Sequence, residues 1–331
     1  MIVLCGIPSE TPVAMVTAAL DELGLPFTTL HQRRFADAML DLEIVDGQVR
    51  GQMLIDGRII DCADVSGIYT RLMDWRVLPE LAAATGSVLR HCQRWHEVLT
   101  SWIEIAPGCV MNRAAATASN QSKPYQAQLI RRAGFRVPET LVTNDPELVR
   151  HFRAVHGQVV YKSISGTRSI VRMLDDRALR RLPLVRWCPV QFQRYVTGTN
   201  VRVHAVAGQL FATRIETDRV DYRYAGQDGG SVRLTPDVLS DGLSERCLAL
   251  VDQLGLELAG IDLLLADDGE TYCFEVNPSP AYSFYEHLTG QPIARAIALS
   301  LGGRRHGGEA GLDAATGLCG RGLDGVEHQP A

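Results

Sequence analysis

Three oxygen-bearing side chains lie in two otherwise apolar segments toward the C-terminal part of the chain. Asp262 lies in one segment, and Glu275 and Asn277 lie in the next. Side chains alternate between the two faces of a strand, so Glu275 and Asn277 point to the same face. If the strand with Asp262 pairs beside them, three hard oxygen ligands converge, which suits Mg²⁺ bound to nucleotide phosphates. The alternative is that these residues cap strand ends or pair with arginines.

Two lysines precede this group and could meet phosphate. Lys123 begins a candidate helix, and Lys162 ends an apolar strand. Lys162 leads into the Ser/Gly-rich turn of residues 163–169, whose N–H and hydroxyl donors could cover phosphates, with Ser165 and Gly166 as candidate contacts. A lone lysine is usually a solvated surface charge, so both assignments depend on the acidic residues downstream.

Arg202, His204 and Arg214 form a third group. Arg202 and His204 share one strand face, and Arg214 lies on the following strand, after a hairpin turn at residues 208–209. Because a guanidinium offers a fixed fork of donors, Arg202 and Arg214 are the candidate catalytic residues for the γ-phosphate and a developing acyl phosphate. The alternative is an ordinary salt bridge to the downstream acids. We expect His204 to be packed or hydrogen-bonded rather than catalytic.

The elements that position these residues begin with an α/β unit. The pattern predicts strand, helix and strand over residues 2–30, and two Asp-Gly turns then favour a small antiparallel meander. A strand at residues 65–69 and a helix at residues 89–105 follow. We therefore predict an N-terminal Rossmann-like α/β domain over residues 1–112.

Mixed helices and strands follow, which predicts a combined α/β and α+β architecture. We place a central subdomain at residues 113–190, a C-terminal antiparallel-sheet subdomain with the metal site at residues 191–302, and a disordered tail at residues 303–331. The predicted elements are a helix at 123–133, strands at 159–162, 190–196, 201–206 and 210–215, a helix at 244–254, strands at 260–266 and 271–276, and a helix at 293–301.

Bulk composition narrows the function class. The chain has 331 residues, of which 46% are hydrophobic and 21% charged, as in ordinary globular proteins. A net charge of −5 argues against a general nucleic-acid or anionic-membrane binder. The first residues lack the basic region of a signal peptide, and no apolar run is long enough for a membrane helix. The eight scattered cysteines form no Cys-x-x-Cys pair, so we expect free thiols and a cytoplasmic protein.

The order of these parts resembles the ATP-grasp superfamily and, within it, the RimK-like carboxylate–amine ligases. Residues 278–293 are similar to the branch that includes maturases of ribosomally made peptides. The resemblance covers about residues 112–301. It rests on five segments in the family's order, namely residues 120–130 with Gly134 and 138–140, residues 161–162, residues 193–196 with 200–202, residues 260–262 and residues 275–277.

The resemblance implies an ATP-grasp fold in which ATP is gripped between the central and C-terminal subdomains. Lys123 and Lys162 would contact the phosphates, and Asp262, Glu275 and Asn277 would be the magnesium ligands. ATP and Mg²⁺ are thus the implied cofactors, with Mn²⁺ as a substitute. The implied adenine hinge and its neighbour are Gln193, Arg194, Tyr195, Val196 and Asn200.

The chain also departs from the family pattern. Relatives often carry an acid before the first lysine and a glutamate in the hinge, where this chain has Ser122 and Arg194. Thr197 and Thr199 stand in the region of the acid that commonly holds the ribose, so no ribose-binding residue is assigned.

The implied reaction forms an amide through an acyl phosphate, on a peptide or amino-acid substrate. Asp221 and Arg223 are candidate substrate contacts, with a solvated loop as the alternative, and the first domain, including residues 69–71 and Asp74, would help to select the substrate. The alternative hypotheses are a non-catalytic ATP-binding or regulatory module and an ATP-grasp phosphotransferase that acts on a hydroxyl. The family often forms homo-oligomers, whereas no nucleic-acid or membrane partner is expected.

Overall fold

The computed structural model describes residues 1–164, 170–218, 220–222 and 230–303. The tail predicted to be disordered lies outside this range except for its first residue. The first part of the chain forms β1 (Ile2–Gly6), α1 (Thr11–Glu22), β2 (Phe27–His31), β3 (Met39–Val45), β4 (Gln48–Ile55), β5 (Arg58–Asp61), β6 (Gly67–Thr70), α2 (Gly86–Ile105) and β7 (Cys109–Met111).

A four-stranded parallel sheet forms the centre of this first part, in the order β2-β1-β6-β7. All five residues of β1 are buried. Ile2 and Leu4 pack with α1, whereas Val3 and Cys5 pack with α2 on the other face. The strand is therefore apolar throughout because both of its faces are covered.

The two Asp-Gly turns produce the expected meander, as a separate three-stranded antiparallel sheet in the order β3-β4-β5. Asp46 and Gly47 both have positive φ, at 50° and 75°, and Asp56 and Gly57 repeat this at 47° and 76°. Two consecutive positive φ angles are typical of the type I′ turn, whose twist matches paired strands.

The middle of the chain forms α3 (Ala114–Thr117), α4 (Lys123–Arg132), β8 (Thr140–Thr143), α5 (Pro146–His156), β9 (Val159–Ser163), β10 (Arg172–Met173), α6 (Asp176–Arg180) and β11 (Val190–Arg194). Its four strands build a second sheet, in the order β10-β9-β11-β8. The boundary predicted at residue 190 falls at the start of β11, which pairs with both β8 and β9 and so belongs to this sheet. The domain boundaries themselves stay predictions.

The last part of the chain forms β12 (Gly198–Val206), β13 (Gln209–Thr217), β14 (Val232–Asp237), α7 (Asp241–Gln253), β15 (Leu258–Ala266), β16 (Thr271–Asn277), α8 (Ser283–Thr289) and α9 (Ile293–Leu301). Its strands build a five-stranded antiparallel sheet, in the order β14-β13-β12-β15-β16. One face packs on α4 and α7, and part of the other packs on α9. The rest of that second face borders a cleft.

Within the described residues, no helix combines the length and the apolar character required to cross a membrane. The compartment in which the protein works stays a prediction.

Candidate functional site

The three predicted metal ligands lie on two neighbouring strands. Asp262 of β15 is the register partner of Glu275 on β16, and Asn277 is the partner of Gly260. Directly opposed residues of an antiparallel pair point to the same face, so the two carboxylates and the amide share one side of the sheet. The sequence-based expectation of adjacent strands is met.

Two lysines from different elements converge on Glu275. The Nζ of Lys123, at the start of α4, lies 3.2 Å from Oε2 of Glu275, and the Nζ of Lys162, on β9, lies 4.0 Å away. Burial raises the pKa of Glu275, but the positive charges of Lys123 and Lys162 outweigh it and leave the pKa below its ordinary value. The carboxylate is therefore ionised at neutral pH, facing two cations that could move to phosphate.

Arg202 stands opposite the second carboxylate. Arg202 lies on β12 and is the register partner of Asp262 on β15. Its Nη1 donates a hydrogen bond to Oδ1 of Asp262 at 2.7 Å. Its side chain is only 7% exposed. Burial lowers the pKa of Arg202, but the carboxylate of Asp262 overrides that effect and raises it overall. Arg202 therefore carries a fixed positive charge beside the predicted metal ligands.

A cleft between the central sheet and the five-stranded sheet runs along these groups. Its walls also include the aromatic ring of Phe274 and the hydroxyl-bearing Tyr222. A pocket that combines apolar and aromatic walls with charged groups suits a nucleotide. The predicted site residues that line it are Lys162, Gln193, Arg194, Tyr195, Val196, Asn200, Asp262 and Glu275.

Hydrogen bonds connect the predicted hinge, residues 193–196, to neighbouring segments of the chain. The backbone N–H of Arg194 donates to the carbonyl of Glu139, and that of Tyr195 donates to the carbonyl of Gln158, each at 2.9 Å. The guanidinium of Arg194 pairs with the Glu139 carboxylate and donates to the hydroxyl of Tyr272 at 2.8 Å. Arg194 thus braces the hinge in a position where relatives often carry glutamate.

The structure does not bring Arg214 to the carboxylates, contrary to the expectation of two adjacent guanidinium groups. Arg214 is the register partner of Val201, whereas Arg202 is opposite Thr213. Arg214 therefore points to the other face of the sheet, where its Nη2 lies 3.0 Å from Asp237. Its predicted catalytic role has no geometric support here.

Three other predicted contacts lie outside the described residues, namely Ser165, Gly166 and Arg223. Asp221 is described, and it lines the cleft. Its Oδ2 accepts a hydrogen bond from the backbone N–H of Val171 at 3.1 Å. Asp221 thus connects two segments of the cleft wall, and its role as a substrate contact stays a prediction.

Three residues whose contacts the sequence did not reveal hold the metal-ligand segment in place. Gln126 bonds the backbone of β16 at 2.8 and 3.0 Å. Asn112 donates to the carbonyls of Leu258 and Pro278, each at 2.6 Å, and accepts from two backbone amides. Arg71 donates to the hydroxyl of Ser279 and the carbonyl of residue 280, at 3.1 and 3.2 Å. Each is a polar residue among partly apolar sequence neighbours. That pattern is too common in protein sequences to identify these three residues in advance.

The donor set fits a hard divalent cation. Within the described residues, no group of three or more His, Cys, Asp and Glu side chains could bind a metal, so a site must draw on the amide of Asn277 beside the two carboxylates. Asn277 Oδ1 accepts from the backbone N–H of Ser279 at 2.9 Å and keeps a second lone pair. Two carboxylates and an amide oxygen suit Mg²⁺ better than a softer metal.

Comparison with known proteins agrees with this geometry. Residues 119–282 match the sequence model described as the ATP-grasp domain. The chain therefore contains an ATP-grasp domain. The matched segment runs from just before Lys123 to just beyond Asn277, so it contains both lysines and all three predicted metal ligands.

Relatives of this ATP-grasp protein include proteins named as ligases. A probable alpha-L-glutamate ligase of Methanococcoides burtonii is 25% identical over 201 residues, which is 56% of this chain and 65% of the relative. The chain thus spans slightly less than two thirds of that relative's length.

Two solved structures extend the likeness over 91% of the chain. The ATP-grasp ligase PsnB, complexed with minimal precursor, Mg and ADP, is 27% identical, with a TM-score of 0.72 and 96% of its chain covered. The macrocyclase MdnC from Microcystis aeruginosa, bound with precursor peptide MdnA, is 22% identical, with a TM-score of 0.74 and 99% covered. The predicted family and ATP-grasp fold are confirmed.

Proposed function

We propose that this chain is an ATP-dependent carboxylate–amine ligase that acts on a peptide. The observation that carries the proposal is the convergence of two carboxylates and three cations beside the cleft. Arg202 lies 2.7 Å from Asp262, and Lys123 and Lys162 lie 3.2 and 4.0 Å from Glu275. This arrangement suits the transfer of a highly charged phosphoryl group better than it suits a nucleophilic side chain.

In the proposed reaction, a substrate carboxylate oxygen attacks the γ-phosphorus of ATP. The bond to the β–γ bridging oxygen breaks, which releases ADP and leaves an acyl phosphate. The nitrogen of an amine then attacks the acyl carbon, and phosphate leaves as the nitrogen loses a proton. Both steps move negative charge, so the protein must supply fixed positive charge and exclude water.

Different residues of this chain would bind the metal, the phosphates and the base. Asp262, Glu275 and Asn277 would hold Mg²⁺, or Mn²⁺ in its place, and the cation would neutralise phosphate charge when bound. Lys123 and Lys162 are already poised on Glu275 and would transfer to phosphate oxygens. Arg202 is buried and would face the γ-phosphate and the acyl phosphate. The cleft beside the hinge would hold the base.

A peptide substrate is favoured over a free amino acid by the structural likeness. PsnB, at 27% identity, was solved with its minimal precursor, Mg and ADP. The likeness to that complex spans nearly the whole of both chains, including the parallel-sheet unit that borders the metal-ligand loop through Arg71. We therefore expect the carboxylate donor, the amine acceptor or both to belong to a peptide.

The test combines nucleotide turnover with product mass. The protein is incubated with Mg·ATP and a mixed pool of peptides and amino acids, and ADP and phosphate release are followed beside mass spectra. We expect substrate-dependent ADP and phosphate with a product that is lighter by one water than its reactants. A product heavier by a phosphate group would instead indicate a phosphotransferase, and tight ATP binding without ADP release would indicate a non-catalytic module.

Glu275→Gln is the variant for this assay, and Glu270→Gln is its matched control. Glu270 is exposed and pairs with Arg136, away from the cleft. Turnover should fall by at least about tenfold in Glu275→Gln because a ligand and a lysine partner are lost together. Equal turnover in the two variants would reject the assigned site.

A further inference from the structure

One face of β12 passes from the cleft into the apolar core within a few residues. Asn200 lines the cleft, Arg202 pairs with Asp262, and His204 comes next on the same face. Val206 then packs in the apolar cluster that contains α9. His204 is therefore the last polar side chain between the buried ion pair and the core.

The contact between Arg202 and His204 defines the state of the imidazole. The Nε of Arg202 lies 3.4 Å from Nε2 of His204, and His204 is fully buried. A guanidinium has donors and no acceptor, so Nε2 accepts in this contact and the proton of the neutral ring lies on Nδ1, a buried atom with no hydrogen-bond partner among the described residues. Burial, and then the charge of Arg202, lower the pKa of His204 well below its ordinary value, which agrees with a neutral ring.

The remaining sides of the guanidinium are also occupied. Nη1 donates to Asp262, and the aromatic ring of Tyr285 lies 5.7 Å from Cζ. A Cβ built on Gly260 would lie 1.9 Å from Nη2, so the guanidinium lies directly over that glycine. The ring of Tyr285 also packs edge-on against His204, with centroids 4.8 Å apart.

We propose that His204 is a positioning residue for Arg202: its neutral Nε2 fixes the Nε edge of the guanidinium and holds Nη1 beside Asp262, where phosphoryl transfer is proposed to occur. The inference rests on the proposed function because it gives Arg202 a phosphate to contact. Asp262 alone cannot fix the arginine during turnover, since the same carboxylate is a predicted metal ligand. His204 approaches from the opposite edge and does not compete with the metal.

A neutral acceptor suits this place better than a charged one. A carboxylate at position 204 would draw Arg202 away from the cleft, and a cation would repel it. An apolar residue would leave the Nε–H of Arg202 buried without a partner and would free several rotatable bonds of the side chain. The imidazole therefore supplies orientation without altering the charge of the site.

The kinetic test compares His204→Leu with His204→Gln. Leucine fills the volume without an acceptor, whereas glutamine keeps an oxygen near the position of Nε2. We expect His204→Leu to lower kcat for ADP release about 10–100-fold while KM for ATP stays within about twofold, and His204→Gln to recover most of the loss. Unchanged kcat in His204→Leu, or equal losses in the two variants, would overturn the proposal.

A second comparison asks whether His204 acts through Arg202. In an Arg202→Lys background, His204→Leu should cause little further loss of kcat, because the group that His204 orients is gone. Losses that multiply in the double variant would show that His204 acts independently of Arg202 and would overturn the proposal.

A third measurement does not depend on turnover. In ¹⁵N-histidine-labelled protein, the NMR signals of the ring nitrogens should show His204 as the neutral tautomer with the proton on Nδ1. The signals that are missing from the spectrum of the His204→Gln variant are assigned to His204. That tautomer supports the contact even if the wild-type protein releases no ADP, in which case the proposed function fails by itself. A proton on Nε2, or a charged ring at neutral pH, overturns the inference whatever the activity.

Discussion

Gln126 donates a hydrogen bond to the carbonyl oxygen of Val276 at 2.8 Å and accepts one from its amide at 3.0 Å. Val276 separates Glu275 from Asn277 on β16, the outer strand of its sheet. A side chain thus replaces the missing neighbouring strand where the predicted metal ligands lie. Lys123 lies three residues earlier on the same helix, so α4 supports the strand and also supplies a cation.

Replacing Gln126 with Leu should destabilise the protein and weaken Mg·nucleotide binding. The change leaves both backbone groups of Val276 without this partner at a buried position, at a cost of about 2–4 kcal/mol in the free energy of unfolding. Urea unfolding and calorimetric titration with Mg·ADP measure the two effects. Gln128→Leu on the exposed side of the same helix is the control and should stay within about 0.5 kcal/mol of wild type. Equal stabilities would show that the pair contributes little.

Asn112 should be among the least replaceable polar residues of the chain. Its buried amide joins the loop after β7 to Leu258 and to Pro278, which follows Asn277. Asn112→Asp retains the acceptor oxygen but removes both donated hydrogen bonds and buries a charge, so we expect a loss of at least about 3 kcal/mol. Thermal unfolding measures it, with the exposed Asn144→Asp as control. A melting temperature that falls no further than in the control would contradict this role.

Arg71 should couple the parallel sheet to the metal-ligand loop. It pairs with Glu10 and donates to Ser279 and Pro280, so Arg71→Ala removes charged hydrogen bonds worth about 1.5–3 kcal/mol in all. We expect lower stability together with weaker Mg-dependent nucleotide binding. Arg76→Ala is the control, because Arg76 is exposed and pairs only locally with Asp74. Loss of stability with full Mg·ADP affinity would restrict Arg71 to a structural role.

Glu275→Gln should change nucleotide affinity in opposite directions with and without metal. In the absence of a divalent cation, Glu275 competes with phosphate for Lys123 and Lys162, so its removal should tighten ATP binding up to about fivefold. With Mg²⁺ present, loss of a ligand should weaken binding at least about tenfold. Calorimetry in EDTA and in Mg²⁺ tests both arms. An affinity that changes in the same direction under both conditions would contradict the shared role of this carboxylate.

The sequence predicted the acidic part of the site because two short-range rules sufficed. Residues two apart on a strand share a face, and consecutive strands usually pair, which together bring Asp262 to Glu275 and Asn277. Arg214 shows how the same rule can be misapplied. The tight turn at residues 207–208 pairs Arg202 with Thr213, so alternation puts Arg214 on the opposite face, and counting from that turn would have revealed it.

Other parts of the site could not be predicted from the sequence. Gln126 meets Val276 across 150 residues, and Asn112 reaches Pro278 across 166. Such contacts depend on how separate sheets pack, and an isolated glutamine or asparagine in the sequence carries no sign of its distant partner. The brace between Arg194 and Tyr272 is of the same kind. Local periodicity therefore identifies the groups that could do chemistry, whereas their supports emerge only from the packed fold.

A side chain at Gly260 should be destabilising, because the guanidinium of Arg202 packs directly against this glycine. A Cβ there would come 1.9 Å from Nη2 of Arg202 and 2.8 Å from Cβ of Pro280, so the guanidinium and the loop after Asn277 would both have to move. We expect Gly260→Ala to cost about 1–3 kcal/mol in the free energy of unfolding and to lower kcat more than KM. Gly242→Ala on α7 is the control, since a Cβ there meets nothing within 4 Å and should be neutral or slightly stabilising. Full activity in Gly260→Ala would mean that Arg202 has room to rearrange, and that its position over this glycine is not required for turnover.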